Sequence, residues 1–160
     1  MGEIRIGVIT SSDSCHSGSR EDVSGKVIAE LCEARGWVVV AYHVCPDDQE
    51  CLSVSLQEMA DSDRADVVLT TGGTGLGPRD VTPEATAAVC DRLAPGIAEH
   101  LRAESAKVTP RAMLSRGVAG IRGTTLIINF PGSEKAVRES FAFVADQLEH
   151  AVEMIAGGGH

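Results

Sequence analysis

Residues Thr70-Thr71-Gly72-Gly73-Thr74-Gly75-Leu76-Gly77-Pro78-Arg79-Asp80 constrain this chain more than any other stretch. An apolar run, Val67-Val68-Leu69, precedes them and reads as a buried strand. Val81-Thr82-Pro83-Glu84-Ala85 follows and reads as a helix start, with Thr82 able to cap, Pro83 suited to the first turn and Glu84 matched to the positive helix end. A strand therefore runs into a glycine-dense loop, and the loop into a helix. Glycines let backbone approach a ligand closely and turn N–H groups toward anionic oxygens. Asp80 closes the loop with a carboxylate, a natural ligand for a hard cation such as Mg²⁺. Neither common phosphate fingerprint fits. No lysine lies in this loop to make the Gly-Lys pair of a P-loop, and the third glycine falls out of register for Gly-x-Gly-x-x-Gly. The competing reading is a glycine turn at a sheet edge without a ligand.

The rest of the chain alternates strand and helix. Strands are expected over Ile4–Thr10, Trp37–Val44, Asp66–Thr71, Val118–Ile121 and Thr124–Phe130. Ser11 to Asp22 reads as a polar loop. Helices are expected from there to Arg35, over Asp48–Ala60, over a segment placing Ala85, Ala88, Val89 and Leu93 together, from Pro95 to before Pro110, and over Glu134–Ile155. This order implies one α/β domain over residues 1–160, three-layered, with a mainly parallel sheet and helices on both faces. Gly157 to His160 reads as a frayed tail. Ligands of such sheets bind beyond the carboxyl ends of the strands.

Composition narrows the partners. Fourteen Lys and Arg against 23 Asp and Glu give a net charge of −9, which argues against a nucleic-acid surface. A small anion remains compatible, because amides and helix N-termini hold phosphate without net positive charge. Five cysteines without a C-x-x-C pair suggest reduced thiols and a cytoplasmic protein. No apolar run approaches membrane-spanning length.

Asp47 follows the second strand as Asp80 follows the third, and adjacent parallel strands would bring both to one rim. Beside a phosphate loop, two carboxylates suit a metal. Asp47 can equally be a helix cap, with Glu50 completing a capping-box arrangement. The first loop, with Ser12 and Asp13, can bind a polar ligand or cap the next helix. Asn129 can read a heterocycle edge, Ser133 can cap the last helix, and Arg116 can pair with phosphate or lie at the surface.

These residues resemble the molybdenum-cofactor biosynthesis family that includes MogA and MoaB and is related to the G domain of gephyrin. The resemblance covers nearly the whole chain. It is carried by Ser12-Asp13, Gly18, Asp22, Ser24-Gly25, Pro46-Asp47, Thr71 to Gly75, Arg79 to Ala85, Met113 to Arg116 and Ile127 to Ser133. It implies a molybdopterin-binding fold, a homotrimer, and transfer of AMP from Mg-ATP to the terminal phosphate of molybdopterin with release of pyrophosphate. A molybdate-inserting MoeA-type partner would take the product. The family's two essential aspartates fall on Asp47 and Asp80, which would hold Mg²⁺. Nucleotide and phosphate would fall to Gly72, Gly73, Thr74, Gly75, Ser12 and Asp13. The pterin would fall to Ser115, Arg116, Asn129, Pro131, Gly132 and Ser133. A second reading is a MoaB-like pterin-binding or scaffolding protein without adenylylation, and a third is an unrelated nucleotide-binding domain. Glu134 stands where many relatives have proline.

Overall fold

The computed structural model describes residues 3–158. Its central strands are buried on both faces, and the rest of the architecture follows from covering them. Strand β3 (Val67–Thr71) and strand β6 (Thr125–Phe130) are buried at every position. They pair in parallel, Val67 opposite Leu126 and Leu69 opposite Ile128. Because side chains alternate along a strand, each strand feeds two cores. Val67, Leu69, Leu126, Ile128 and Phe130 enter one, and Val68 and Ile127 enter the other.

The remaining strands are β1 (Arg5–Ser11), β2 (Val38–Cys45), β4 (Arg92–Leu93) and β5 (Ala119–Arg122). The sheet order is β2-β1-β3-β6-β5-β4. The first four in that order run parallel, while β5 opposes β6 and β4 opposes β5. Helices α2 (Val23–Ala34), α5 (Pro95–Ala106) and α6 (Glu134–Ile155) cover one face. Helices α3 (Gln49–Gln57) and α4 (Thr82–Val89) cover the other. The expected three-layer α/β fold is present. Strand β1 lies between β2 and β3, so the strands carrying Asp47 and Asp80 are not neighbours as expected. Successive parallel crossovers from a central first strand place β2 and β3 on opposite sides of it.

Other differences are local. The first loop contains a short helix, α1 (Asp13–Ser17), started by the Ser12 hydroxyl, which accepts from Cys15 N–H at 3.2 Å. The helix expected to reach Ala60 leaves α-geometry at Gln57 and continues as a π turn over Glu58–Ser62, which keeps Met59 fully buried. Helix α4 stops at Val89. Ala85 and Val89 are buried, but Ala88 is exposed and Leu93 lies in β4. Strand β4 packs closely because Gly120 has no side chain: a Cβ there would lie 2.7 Å from Cys90 Sγ and 3.0 Å from Arg92 O. Gly157 and Gly158 donate to Met154 O and Glu153 O, closing α6 where a free tail was expected. Gly159 and His160 lie outside the described residues.

Leu69 is fully buried between strands and helices. Leu69→Ala is expected to lower stability by about 2–5 kcal/mol, from lost transfer energy plus the cavity left behind. Urea unfolding measures this directly.

Candidate functional site

The carboxyl ends of β1, β2, β3 and β6 form one rim, and each delivers a polar loop to it. After β3, Gly72 and Gly73 adopt positive φ, 90° and 71°. A Cβ on Gly72 would lie 2.4 Å from Ser11 O, so the backbone after β3 runs hard against the end of β1. Thr82 ties the loop down from its far end, its hydroxyl donating to Gly72 O at 3.0 Å and its N–H to Gly73 O at 3.2 Å. Thr82 is therefore the first residue of α4 and a loop fastener. It was expected to cap that helix, but Val81 holds the cap position, without a side-chain bond.

Asp47 and Asp80 both stand on this rim, half-buried. Asp47 Oδ1 accepts from the Ser11 hydroxyl at 2.7 Å and Oδ2 from Asp13 N–H at 3.1 Å. In return Asp47 N–H donates to Asp13 Oδ1 at 2.9 Å. The helix cap is the next residue: Asp48 accepts from Cys51 N–H at 2.9 Å. That bond holds the Asp48 carboxyl below its ordinary range. The cap reading of Asp47 is thus replaced, since its side chain turns to the first loop. Asp80 Oδ2 accepts from Gly77 N–H at 2.9 Å, which folds the loop back on itself.

Arg79 bridges the two sides. Its guanidinium meets Asp13 with two bonds, Nε to Oδ2 at 2.9 Å and Nη2 to Oδ1 at 2.8 Å. This pairing holds the Asp13 carboxyl below its ordinary range, and the Asp47 backbone N–H adds to it. Asp47, Asp13 and Arg79 are therefore bonded in series along the rim, and Asp80 follows Arg79 in the chain. Among the described residues no three carboxylate, histidine or cysteine groups form a ready-made metal cage. Mg²⁺ commonly takes only one or two carboxylates, keeps several waters and accepts substrate phosphates as ligands. Two hard carboxylates flanking an amide-rich loop fit that requirement.

Two hollows border the rim. The larger, about 320 Å³, is lined by Ser11, Ser12, Asp22, Gly72, Gly132 and Ser133 among others. The N-termini of α2 and α6 meet there. Asp22 caps α2 at Gly25 N–H, 3.0 Å, and Ser133 caps α6 at Ala136 N–H, 3.2 Å. Asp22 also accepts from Thr10 and from Tyr42, and burial, with the Asp22 carboxylate beside it, raises the Tyr42 phenol well above its usual range. The smaller, about 50 Å³, lies between α5, a 3₁₀ turn (Pro110–Leu114) and β6. Ser115, Asn129, Pro131 and Arg102 border it.

The residues grouped by sequence for the pterin thus divide. Gly132 and Ser133 stand with Ser12 and Gly72, while Ser115, Asn129 and Pro131 stand at the smaller hollow. The Asn129 amide is buried, donating to Thr70 and Thr86 hydroxyls at 3.0 Å each and accepting from Val118 N–H at 3.1 Å. Arg116 turns inward to Gly75 O, Asp80 O and Glu84. The sequence gives no reason to single out Ser11, Tyr42 or Arg102, and it marks Glu84 only as suited to the positive end of α4. Arg79 carries a signal of its own, its place beside Asp80 in the glycine segment.

With this geometry in view, the relatives become interpretable. A family model described as "Probable molybdopterin binding domain" matches residues 7–150. The chain belongs to this family. It is 42% identical to a molybdopterin adenylyltransferase of Helicobacter pylori, over 98% of this chain and 90% of that protein. It is 42% identical to the molybdenum cofactor synthesis protein cinnamon of Drosophila melanogaster, where it covers 97% of its own length but spans only 26% of the relative. The crystal structure of the molybdopterin biosynthesis enzyme MoaB from Thermus thermophilus superposes with a TM-score of 0.90 at 45% identity, covering 96% of this chain and 97% of that one. In this family member the glycine segment, both rim aspartates and both hollows lie within the matched residues. No helix among the described residues is long and apolar enough to cross a membrane.

The Arg79–Asp13 pair sets a pH signature. A carboxyl whose folded pKa is depressed stabilises the fold above its unfolded value and loses that contribution as pH falls through the lowered one. The pair should persist through neutral pH and open only below the ordinary carboxylate range. A carboxyl ¹³C titration of Asp13 checks this, and Arg79→Gln should return the midpoint toward about 3.9.

Proposed function

We propose that this chain is a molybdopterin adenylyltransferase of molybdenum cofactor biosynthesis, transferring AMP from ATP to the terminal phosphate of molybdopterin. One observation carries the reading: the glycine loop between Asp47–Asp13 and Asp80, in a chain alike over nearly its whole length to an enzyme of that name. An oxygen of the pterin phosphate attacks the α-phosphorus of ATP, the bond to the bridging oxygen of the β-phosphate breaks, and pyrophosphate leaves. The attacking oxygen is already anionic, so no general base is required. Positioning and charge stabilisation supply the rate.

In this reading the backbone N–H groups of the Gly72–Gly75 loop hold phosphate oxygens, with Ser12 and Asp13 at the nucleotide side. Ser115, Asn129 and Pro131 serve the pterin at the smaller hollow, while Gly132 and Ser133 face the shared rim. Asp47 and Asp80 would hold Mg²⁺, which when bound offsets charge on the phosphate oxygens. Ser11 and the Asp13 amide keep Asp47 aimed at that position. The family resemblance further supports a cytoplasmic homotrimer that delivers adenylylated pterin to a molybdate-inserting MoeA-type protein.

Incubation with molybdopterin, ATP and Mg²⁺ should yield adenylylated pterin and pyrophosphate, and excess chelator should abolish turnover. Pterin that binds yet never gains AMP would support the scaffolding reading instead. Asp80→Asn should reduce turnover by roughly 10²-fold, as for loss of one preorganised electrostatic contact, with the melting temperature nearly unchanged. Asp47→Ala should likewise lose turnover, whereas Asp48→Ala should lower the melting temperature and keep specific activity. Loss of activity in Asp48→Ala with full activity in Asp47→Ala would reverse the two roles.

A further inference from the structure

A loop with four glycines between positions 72 and 77 is held in one shape by something other than its own side chains. Arg116 makes three bonds to the loop carbonyls. Its N–H donates to Thr74 O at 2.9 Å. Its Nε donates to Gly75 O at 2.8 Å and its Nη2 to Asp80 O at 2.7 Å. Its remaining reach goes to Glu84, Nη1 to Oε2 at 2.7 Å and Nη2 to Oε1 at 3.2 Å. Glu84 sits in the first turn of α4, so one guanidinium joins the middle and the far end of the loop to the helix that follows it. The Glu84 carboxyl is held below its ordinary range by this pairing.

The geometry has a direct corollary. In a trans peptide the C=O and the N–H point in opposite directions. Holding the carbonyls of Thr74, Gly75 and Asp80 toward Arg116 turns the N–H groups of Gly75, Leu76 and Val81 away from it. Arg116 precedes β5 and approaches the loop from the β6–β5 side, whereas Ser11 and Asp47 stand on the β1–β2 side. The three N–H groups are therefore left outside the Arg116 fork. Among the described residues none of the three donates to a protein acceptor. The segment bearing Arg116 is itself fixed, since Arg102 Nη1 donates to Gly117 O at 2.8 Å.

We infer that Arg116 is a positioning residue for the nucleotide phosphates: it orients the loop amides and touches neither substrate. This rests on the phosphate-loop reading above, and it gives Arg116 a different role from the pterin contact expected from sequence. Lysine keeps the charge but cannot form a fork to two carbonyls and a carboxylate. If Arg116→Lys leaves about a tenth of molecules with the loop correctly shaped, apparent ATP affinity falls about tenfold.

The test uses wild type, Arg116→Lys and Glu84→Gln, with ¹⁵N relaxation on the free proteins and calorimetric titration with Mg-ATP and with molybdopterin separately. Arg116→Lys should mobilise residues 74–81, with order parameters falling below about 0.6. It should weaken ATP about tenfold and leave molybdopterin affinity unchanged. Glu84→Gln, which keeps the fork but loosens its anchor, should show the same pattern at smaller amplitude, and it decides the matter if Arg116→Lys fails to fold. Unchanged loop order, or unchanged ATP affinity with a mobile loop, overturns the inference. So does weakened molybdopterin with intact ATP binding. If wild type takes up no ATP, the nucleotide reading fails, and the relaxation data alone then decide whether Arg116 shapes the loop.

Discussion

The contact between Gly72 and the carbonyl of Ser11 governs the rest of the site. A side chain at position 72 would collide with backbone, not with a group that can rotate away. The close approach places the end of β3 against the end of β1, and β1 in turn carries Ser11, whose hydroxyl aims Asp47. The far end of the loop is fastened by Thr82, and its carbonyls are gathered by Arg116. A flexible composition thus acquires one conformation through bonds from three neighbouring elements. The glycines supply room for a ligand, and the surrounding polar groups remove the disorder that glycine would otherwise bring.

The electrostatics follow the same division of labour. The chain is strongly acidic, with a net charge of −9, yet a reaction between two phosphate compounds calls for local positive potential. The rim meets this with backbone amides, two helix N-termini and one paired arginine rather than with exposed lysines. Arg79 is held by Asp13, and Asp13 is bonded to Asp47, so one carboxylate charge of the rim is offset before any substrate arrives.

The two-faced strands were legible because β3 and β6 are short continuous apolar runs, and α6 because its apolar residues recur at helical spacing over six turns. Helix α1 was not legible: Asp13-Ser14-Cys15-His16-Ser17 has no apolar periodicity, and only the Ser12 cap marks it. Strand β4 is two residues long and exists through pairing with Gly120 and Ile121, a non-local event. At the site, the aspartates could be named from their places after the strands. Which of Asp47 and Asp48 caps α3 depends on backbone angles that a dipeptide of identical residues cannot reveal. Arg116 read as a ligand group or a surface residue, because nothing local says that a lone arginine turns inward to bind carbonyls.

Trp37 stands apart from all of this, and its position gives the molecule an internal light source. It is the only tryptophan, 3% exposed, packed against Phe141 of α6 at 5.9 Å between ring centroids, with Arg35 over its ring and Glu149 accepting from its indole N–H. It immediately precedes β2, at the end of the sheet opposite the rim. Its emission therefore reports the seating of α6 on the sheet and is blind to events at the glycine loop. The only tyrosine, Tyr42, lies against Asp22 beside the larger hollow. One chain thus carries two separate chromophores: the indole, which can be excited selectively at its long-wavelength edge, senses the integrity of the fold, and the phenol lies at the floor of the site.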